Sequence, residues 1–167
     1  MSIQFSKLSK HFDRKSFDCG IDDLTQYIRR FARQNQTEDY SQCYILHKKE
    51  ETEIIGYYTL TSSKITYKEL PDEISKNIPK YGVGAVLIGR LAVNSKYQRK
   101  GYGKFLLMDA LFRSNHNSES IGIWAVIVDA KNDDAELFYQ KFGFSKLKDN
   151  DRRLFLPLRA VRALLPK

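Results

Sequence analysis

Residues 86–112 read VLIGRLAVNSKYQRKGYGKFLLMDALF, and the reading of this stretch decides the fold. Val86 to Val93 is a strand-like run, and Phe105 to Phe112 is a helix-like one. Between them stands Gln98-Arg99-Lys100-Gly101-Tyr102-Gly103. A turn from strand to helix points several main-chain N–H groups at one spot. The two glycines let the backbone come close to a ligand, and the helix N-terminus adds partial positive charge. Such a turn forms a pyrophosphate cradle, which Lys104 extends by one residue, or else only caps the helix with no ligand.

Working outward, Ile3 to Leu8 reads as a strand. Asp22 to Ala32 reads as a helix with Leu24, Tyr27, Ile28 and Phe31 on one apolar stripe, which is expected to be core. Cys43 to His47 and Ile54 to Thr61 read as strands joined by the polar loop 48–53, and Gly56 marks a bulge or a close backbone approach. Leu70 to Pro79 carries a short helix, on a long excursion of the kind that often lines a substrate entrance. Val83 to Val93 is a long strand, and Gly101 to Arg113 is the helix behind the glycine turn. Ile121 to Val128 reads as a strand buried on both faces. Asn132 to Phe142 is a helix, Phe144 starts a strand, and Arg153 to Leu156 is the last one. This order implies one α/β domain over residues 1–167, built on a mixed sheet.

The chain has 167 residues, with 42% hydrophobic, so it can bury a sizeable core. No apolar run approaches the roughly 18 residues of a membrane span. The N-terminus lacks a signal peptide's charged start and apolar centre, which points to the cytoplasm. Cys19 and Cys43 have no metal spacing and are expected to be free structural thiols. His11, His47 and His116 show no pairing, and no metal site is expected.

The net charge is +8, and the segment from Lys141 onward carries +6 of it; Arg29, Arg30 and Arg33 form a second basic group. This is either a solvated surface or a field that attracts a polyanion. Arg29, Arg30, Arg33, Arg90, Arg152 and Arg153 are candidate nucleic-acid contacts, with surface ion pairing as the alternative for each.

Asn132-Asp133-Asp134-Ala135-Glu136-Leu137-Phe138-Tyr139-Gln140-Lys141-Phe142-Gly143-Phe144 is the second informative block. It places Phe138 and Tyr139 side by side near a helix end, where Gly143 turns the chain into a strand. Phe138 packs either into the core or toward a ligand. Asn132 either caps the helix or hydrogen-bonds a cofactor arm.

The two blocks resemble the acetyl-CoA loop, Q/R-x-x-G-x-G/A, and the segment N-x-x-A-x-x-F-Y-x-x-x-G-F of the GNAT (Gcn5-related) N-acetyltransferases. The resemblance implies the GNAT fold, a mixed sheet of six to seven strands flanked by helices. It also implies acetyl-CoA as cofactor. Gln98, Arg99, Lys100, Gly101, Tyr102, Gly103 and Lys104 would hold the diphosphate, with Leu91, Ala92 and Val93 pairing with the pantetheine amides and Asn132 and Phe138 along the arm. Tyr139 would be the general acid that protonates the departing thiolate, or else pack against the pantetheine arm with its hydroxyl in water. No carboxylate stands in the Val86–Val93 strand, where some members carry a Glu, and Asp109 and Asp129 are the only other bases considered. A lysine ε-amine needs strong help to lose its proton, whereas an α-amine with a pKa of about 7.7–8 needs little.

Phe17-Asp18-Cys19-Gly20, Asp23-Leu24, Leu70-Pro71-Asp72-Glu73-Ile74 and Gly89-Arg90-Leu91-Ala92-Val93 further resemble GNAT toxins of bacterial toxin–antitoxin pairs. That resemblance implies acetylation of the α-amine of aminoacyl-tRNA, a ribbon–helix–helix antitoxin partner and a homodimer. The alternatives are a GNAT enzyme acting on a small-molecule or protein amine, and a non-catalytic module that has kept the fold.

Overall fold

A computed structural model describes residues 2–148, 150 and 152–167. The strands are β1 (Ile3–Lys7), β2 (Gln42–Lys48), β3 (Gly56–Ile65), β4 (Val83–Val93), β5 (Ala125–Asp129), β6 (Ser145–Lys146) and β7 (Arg153–Pro157). The helices are α1 (Asp22–Gln26), α2 (Ala32–Thr37), α3 (Asp72–Ser75), α4 (Tyr102–Asn117), α5 (Asp133–Lys141) and α6 (Leu158–Leu164). The strands form one mixed sheet in the order β1-β2-β3-β4-β5-β7-β6. It has seven strands, as the sequence order implies.

The chain folds as two compact units, Met1–Thr61 with Arg90–Ala110, and Ser62–Gly89 with Leu111–Lys167. In the first, β1, β2 and β3 run antiparallel, with Phe5 opposite Leu46 and Ile45 opposite Tyr57. Its core gathers Phe17, Leu24, Tyr27, Ile28, Cys43, Ile45, Ile54 and Tyr57. In the second, β5 pairs antiparallel with β7 from Ala125 opposite Pro157 to Asp129 opposite Arg153. Its core holds Ile65, Leu70, Ala85, Ala125, Ile127 and Phe155, with the Trp124 ring stacked on Phe155. Both cysteines are buried free thiols, and burial pushes the Cys43 thiol far up, which keeps it from acting as a nucleophile.

Four readings of the sequence are corrected. The helix expected over 22–32 is broken between α1 and α2 by a π-helical turn, Tyr27–Phe31. The wider turn takes more residues per revolution, so Phe31 leaves the buried stripe of Leu24, Tyr27 and Ile28 and stands 52% exposed. The strand expected over 121–128 begins only at Ala125, because Ile121 closes turns that end α4 through its bond to Asn117 O. The helix expected within 70–79 is reduced to α3, after a 3-10 turn at Tyr67–Glu69. Finally, α6 follows β7 directly, with Leu158 and Val161 buried.

Gly56 makes a close approach rather than a bulge. A Cβ there would lie 2.8 Å from the main-chain oxygen of Ala92 and 2.8 Å from a methyl of Leu106. The backbone oxygen cannot swing away, so Gly56→Ala should cost about 1–3 kcal/mol of stability. Urea denaturation checks this, and an unchanged midpoint would show that the two strands have room to spare.

Candidate active site

The turn after β4 is braced from several sides within the first unit. Buried Asn94 accepts from Lys96 N at 3.1 Å and donates to Ile54 O at 3.0 Å. The 3-10 turn Ser95–Tyr97 follows, and Ser95 N donates to Asp18 O at 2.8 Å. The Gln98 side chain donates to both Cys19 O and Val93 O, each at 2.9 Å. Glu53 accepts from Lys96 Nζ at 2.6 Å and from the Tyr97 hydroxyl. These two bonds, that of Lys96 first, hold the Glu53 carboxyl below the usual carboxylate range. The Tyr97 phenol is pushed up to about 12, chiefly by the same carboxylate.

The chain then passes through two left-handed residues, Arg99 at φ 64° and Gly101 at φ 86°. This alternation curls the backbone into a nest of N–H groups. Among the described residues, no acceptor meets the main-chain N–H groups of Arg99, Lys100, Gly101, Tyr102, Gly103 or Lys104. The next one, on Phe105, bonds Gly101 O at 3.4 Å. Six consecutive amides without acceptors, at the start of the 16-residue α4, are a site for an extended anion. A Cβ on Gly101 would meet nothing within 4 Å, so the space above the turn is open. The residues expected to hold a diphosphate are therefore present in a geometry that fits one.

Ahead of the turn, β4 pairs in parallel with β5 only from Ala85 opposite Ala125 to Ile88 opposite Val128. Leu91, Ala92 and Val93 lie beyond that ladder. Ala92 is buried, and Val93 O is taken by Gln98.

Tyr139 lies in the second unit. Asn132 is the N-cap of α5, and its side-chain oxygen accepts from Ala135 N at 2.8 Å, so the capping role is the one observed. Gly143, at φ 96°, turns the chain into β6. The Tyr139 ring meets Phe138 at 5.3 Å and Phe144 at 5.6 Å between centroids, and Phe138 also meets Phe142. Tyr139 is 4% exposed, and its hydroxyl has no hydrogen-bond partner among the described residues. Burial, and after it the charge of Asp129, raises the phenol above its ordinary value and keeps its proton in place.

The remaining candidates separate into held and unheld groups. Asp129 receives two bonds from Arg153, at 2.8 and 3.2 Å. Asp109 receives the Tyr58 hydroxyl at 2.5 Å. Arg152 is paired with Asp133 at 2.8 Å and Glu136 at 3.1 Å. Arg29 Nε donates to Phe17 O, and the Arg90 guanidinium stacks 3.6 Å from the centre of the Tyr27 ring. The side chains of Arg30 and Arg33 have no partner among the described residues, and Arg30 is exposed. No group of three metal-ligating side chains occurs among the described residues. Sequence reasoning missed Glu53, Asn94 and Tyr97, the braces of the turn. Glu53 stands 44 residues before Tyr97, and only the fold brings them together.

The fold and this turn define an acyltransferase of the acetyl-CoA-using class. The chain belongs to the acetyltransferase (GNAT) family, whose model matches residues 8–144. It is 32% identical to a tRNA-acetylating toxin of Mycobacterium tuberculosis over 95% of this chain and 94% of that protein. It is 30% identical to the probable toxin TacT of Sinorhizobium fredii, over 92% and 89%. Among solved structures, a tyrosine-to-phenylalanine mutant of KacT superposes with a TM-score of 0.92 at 26% identity, covering 99% of this chain and 100% of that one. AtaT complexed with acetyl-methionyl-tRNAfMet gives 0.89 at 28% identity, covering 98% and 99%. A tyrosine-to-phenylalanine AtaT bound to the C-terminus of the antitoxin AtaR and acetyl-CoA gives 0.84 at 25%, covering 97% of each chain.

Because the Glu53 carboxyl titrates below its unfolded value, its contribution is complete above the usual carboxylate range. It is lost as pH falls through and below that range. Thermal melts from about pH 6 to about pH 3 should therefore show a steeper loss for the wild type than for Glu53→Gln. Parallel curves would mean that the brace contributes nothing to folding.

Proposed function

We propose that this enzyme moves the acetyl group of acetyl-CoA onto the α-amine of an aminoacyl-tRNA and thereby blocks translation, as the toxin of a toxin–antitoxin pair. The observation that carries the choice of acceptor is the engagement of Asp109 by Tyr58 and of Asp129 by Arg153. With neither carboxylate free to take a proton, the acceptor must be an amine that loses one readily near neutral pH, and an aminoacyl α-amine meets that condition. The relative from M. tuberculosis, a tRNA-acetylating toxin matched over 95% of this chain, supports the same reading.

Residues 1–167 act in this reading as one acetyltransferase domain. Acetyl-CoA supplies an activated acetyl thioester. The amides of Arg99 to Lys104, with Gln98 bracing them, receive its diphosphate. Main-chain groups of Leu91, Ala92 and Val93 pair with the amides of its arm, and one N–H polarises the thioester carbonyl. Phe138 packs along the arm, and Asn132 turns its amide nitrogen toward it while its oxygen caps α5. The α-amine attacks the carbonyl carbon and the carbon–sulfur bond breaks. The amine's proton passes to water, and Tyr139 delivers its own proton to the sulfur and regains one from solvent. Arg30 and Arg33 contact tRNA phosphates, while Arg29, Arg90, Arg152 and Arg153, each held by a neighbour, add to the field. A ribbon–helix–helix antitoxin neutralises the enzyme, which acts as a homodimer in the cytoplasm. No helix among the described residues is long and apolar enough to cross a membrane.

Tyr139→Phe should leave acetyl-CoA affinity unchanged by calorimetry and lower turnover by ~10²-fold or more; wild-type turnover in this variant would remove Tyr139 from the chemistry. Labelled acetyl groups should pass to bulk charged tRNA and not to polyamines or peptides, and expression without a partner should arrest growth. Transfer to polyamines or peptides alone would make the enzyme an ordinary amine acetyltransferase.

A further inference from the structure

The π-helical turn places Phe31 where an α-helix would not. Leu24, Tyr27 and Ile28 are buried, and Phe31, seven residues after Leu24, would continue that stripe in an unbroken helix. Instead it sits at the seam between the π turn and α2 with φ −115°, against −58° at Ala32, and is 52% exposed. Single π turns inside helices are rare and tend to occur at functional sites. Burying a phenylalanine would stabilise the fold, so this one is turned outward at a cost.

The helical segment that carries it is basic and neutral in sequence. From Leu24 to Thr37 there is no acidic residue and there are three arginines. Arg30 and Arg33 flank Phe31 and lack partners among the described residues, while Arg29 is tied to Phe17 O. Gln34, one turn along from Arg30 and Phe31, is exposed, with a neutral amide. Cations for phosphates, a flat ring and a neutral hydrogen-bonding amide, with no carboxylate among them, are what a protein offers to unpaired nucleotides.

We infer that Phe31 is a stacking platform for an unpaired base at the single-stranded end of the nucleic-acid substrate, with Arg30 and Arg33 holding the adjoining phosphates. The inference rests on the reading of the acceptor as charged tRNA and makes Phe31 a positioning residue for it. In that role it fixes the end that carries the amino acid, and it takes no part in the proton transfers.

The test measures binding of uncharged bulk tRNA, a short single-stranded RNA and a blunt RNA duplex of the same length to the full chain. Phe31→Ala and Phe31→Leu should each weaken the tRNA and the single strand about tenfold, a loss typical of one stacked base, and leave the blunt duplex unchanged. Phe31→Tyr should restore binding. Phe31→Trp should restore it too, and its added fluorescence should be quenched by the single strand. Acetyl-CoA affinity, equal in all four variants, confirms that each is folded. Wild-type affinity in Phe31→Leu, or an equal loss on the duplex, overturns the stacking role and leaves the tRNA reading standing. If the wild type binds none of the three RNAs, the stacking role and the tRNA reading both fall.

Discussion

The architecture depends on keeping six adjacent main-chain amides, Arg99 to Lys104, free of any internal acceptor among the described residues. Unpaired N–H groups favour rearrangement toward whatever acceptor lies nearby, so a turn of this kind must be held open by its supports. Here the supports are side chains. Gln98 reaches two carbonyls, Asn94 clasps Ile54, and Glu53 takes both Lys96 and Tyr97. Arg99 bears a left-handed backbone without being glycine, a conformation that its neighbours must impose. The glycines have different tasks. Gly101 supplies the second left-handed step under open space, whereas Gly56 keeps β3 close to Ala92 and Leu106.

Proton traffic is constrained in a comparable way. Raised by burial, the Tyr139 phenol holds its hydrogen near neutral pH. A phenol that keeps its proton at rest cannot serve as the base, which leaves it the proposed role of giving that proton to a thiolate. Arg153 pairs with Asp129, whose charge adds to the effect of burial on this phenol. The carboxylate that Arg153 holds thus adds to what keeps the phenol protonated.

Much of this was legible in the chain because the signals are local. The strand Val83–Val93, the glycine turn and the start of α4 are contiguous, and the sequence reading of β4 agrees with the structure at both ends. The cap of α5 by Asn132 and its exit at Gly143 are likewise written within a few residues. What escaped was either non-local or a change of period. Glu53 carries no mark of the turn it braces. The π turn obeys no spacing that an α-helical stripe would reveal. Ile121 to Trp124 is apolar enough for a strand, yet its start belongs to the turns that close α4. The missed α6 did leave a signal, Leu158 and Val161 three apart, which the arginines between and after them obscured.

Net charge proved a poor guide to where the free cations are. The segment after Lys141 carries most of the formal excess, yet Lys146 pairs with Glu136, Lys148 with Asp72, Arg152 with Asp133 and Glu136, and Arg153 with Asp129. Cations so engaged contribute to a distant field, but they release little on meeting a phosphate because a carboxylate must first be displaced. Arg30 and Arg33 have no carboxylate partner among the described residues. A smaller formal charge on that helical segment therefore offers the stronger local contact, and the π turn sets an aromatic ring beside it. In the C-terminal segment Arg152 and Arg153 are held by carboxylates, whereas in the first helical segment Arg30 and Arg33 are not.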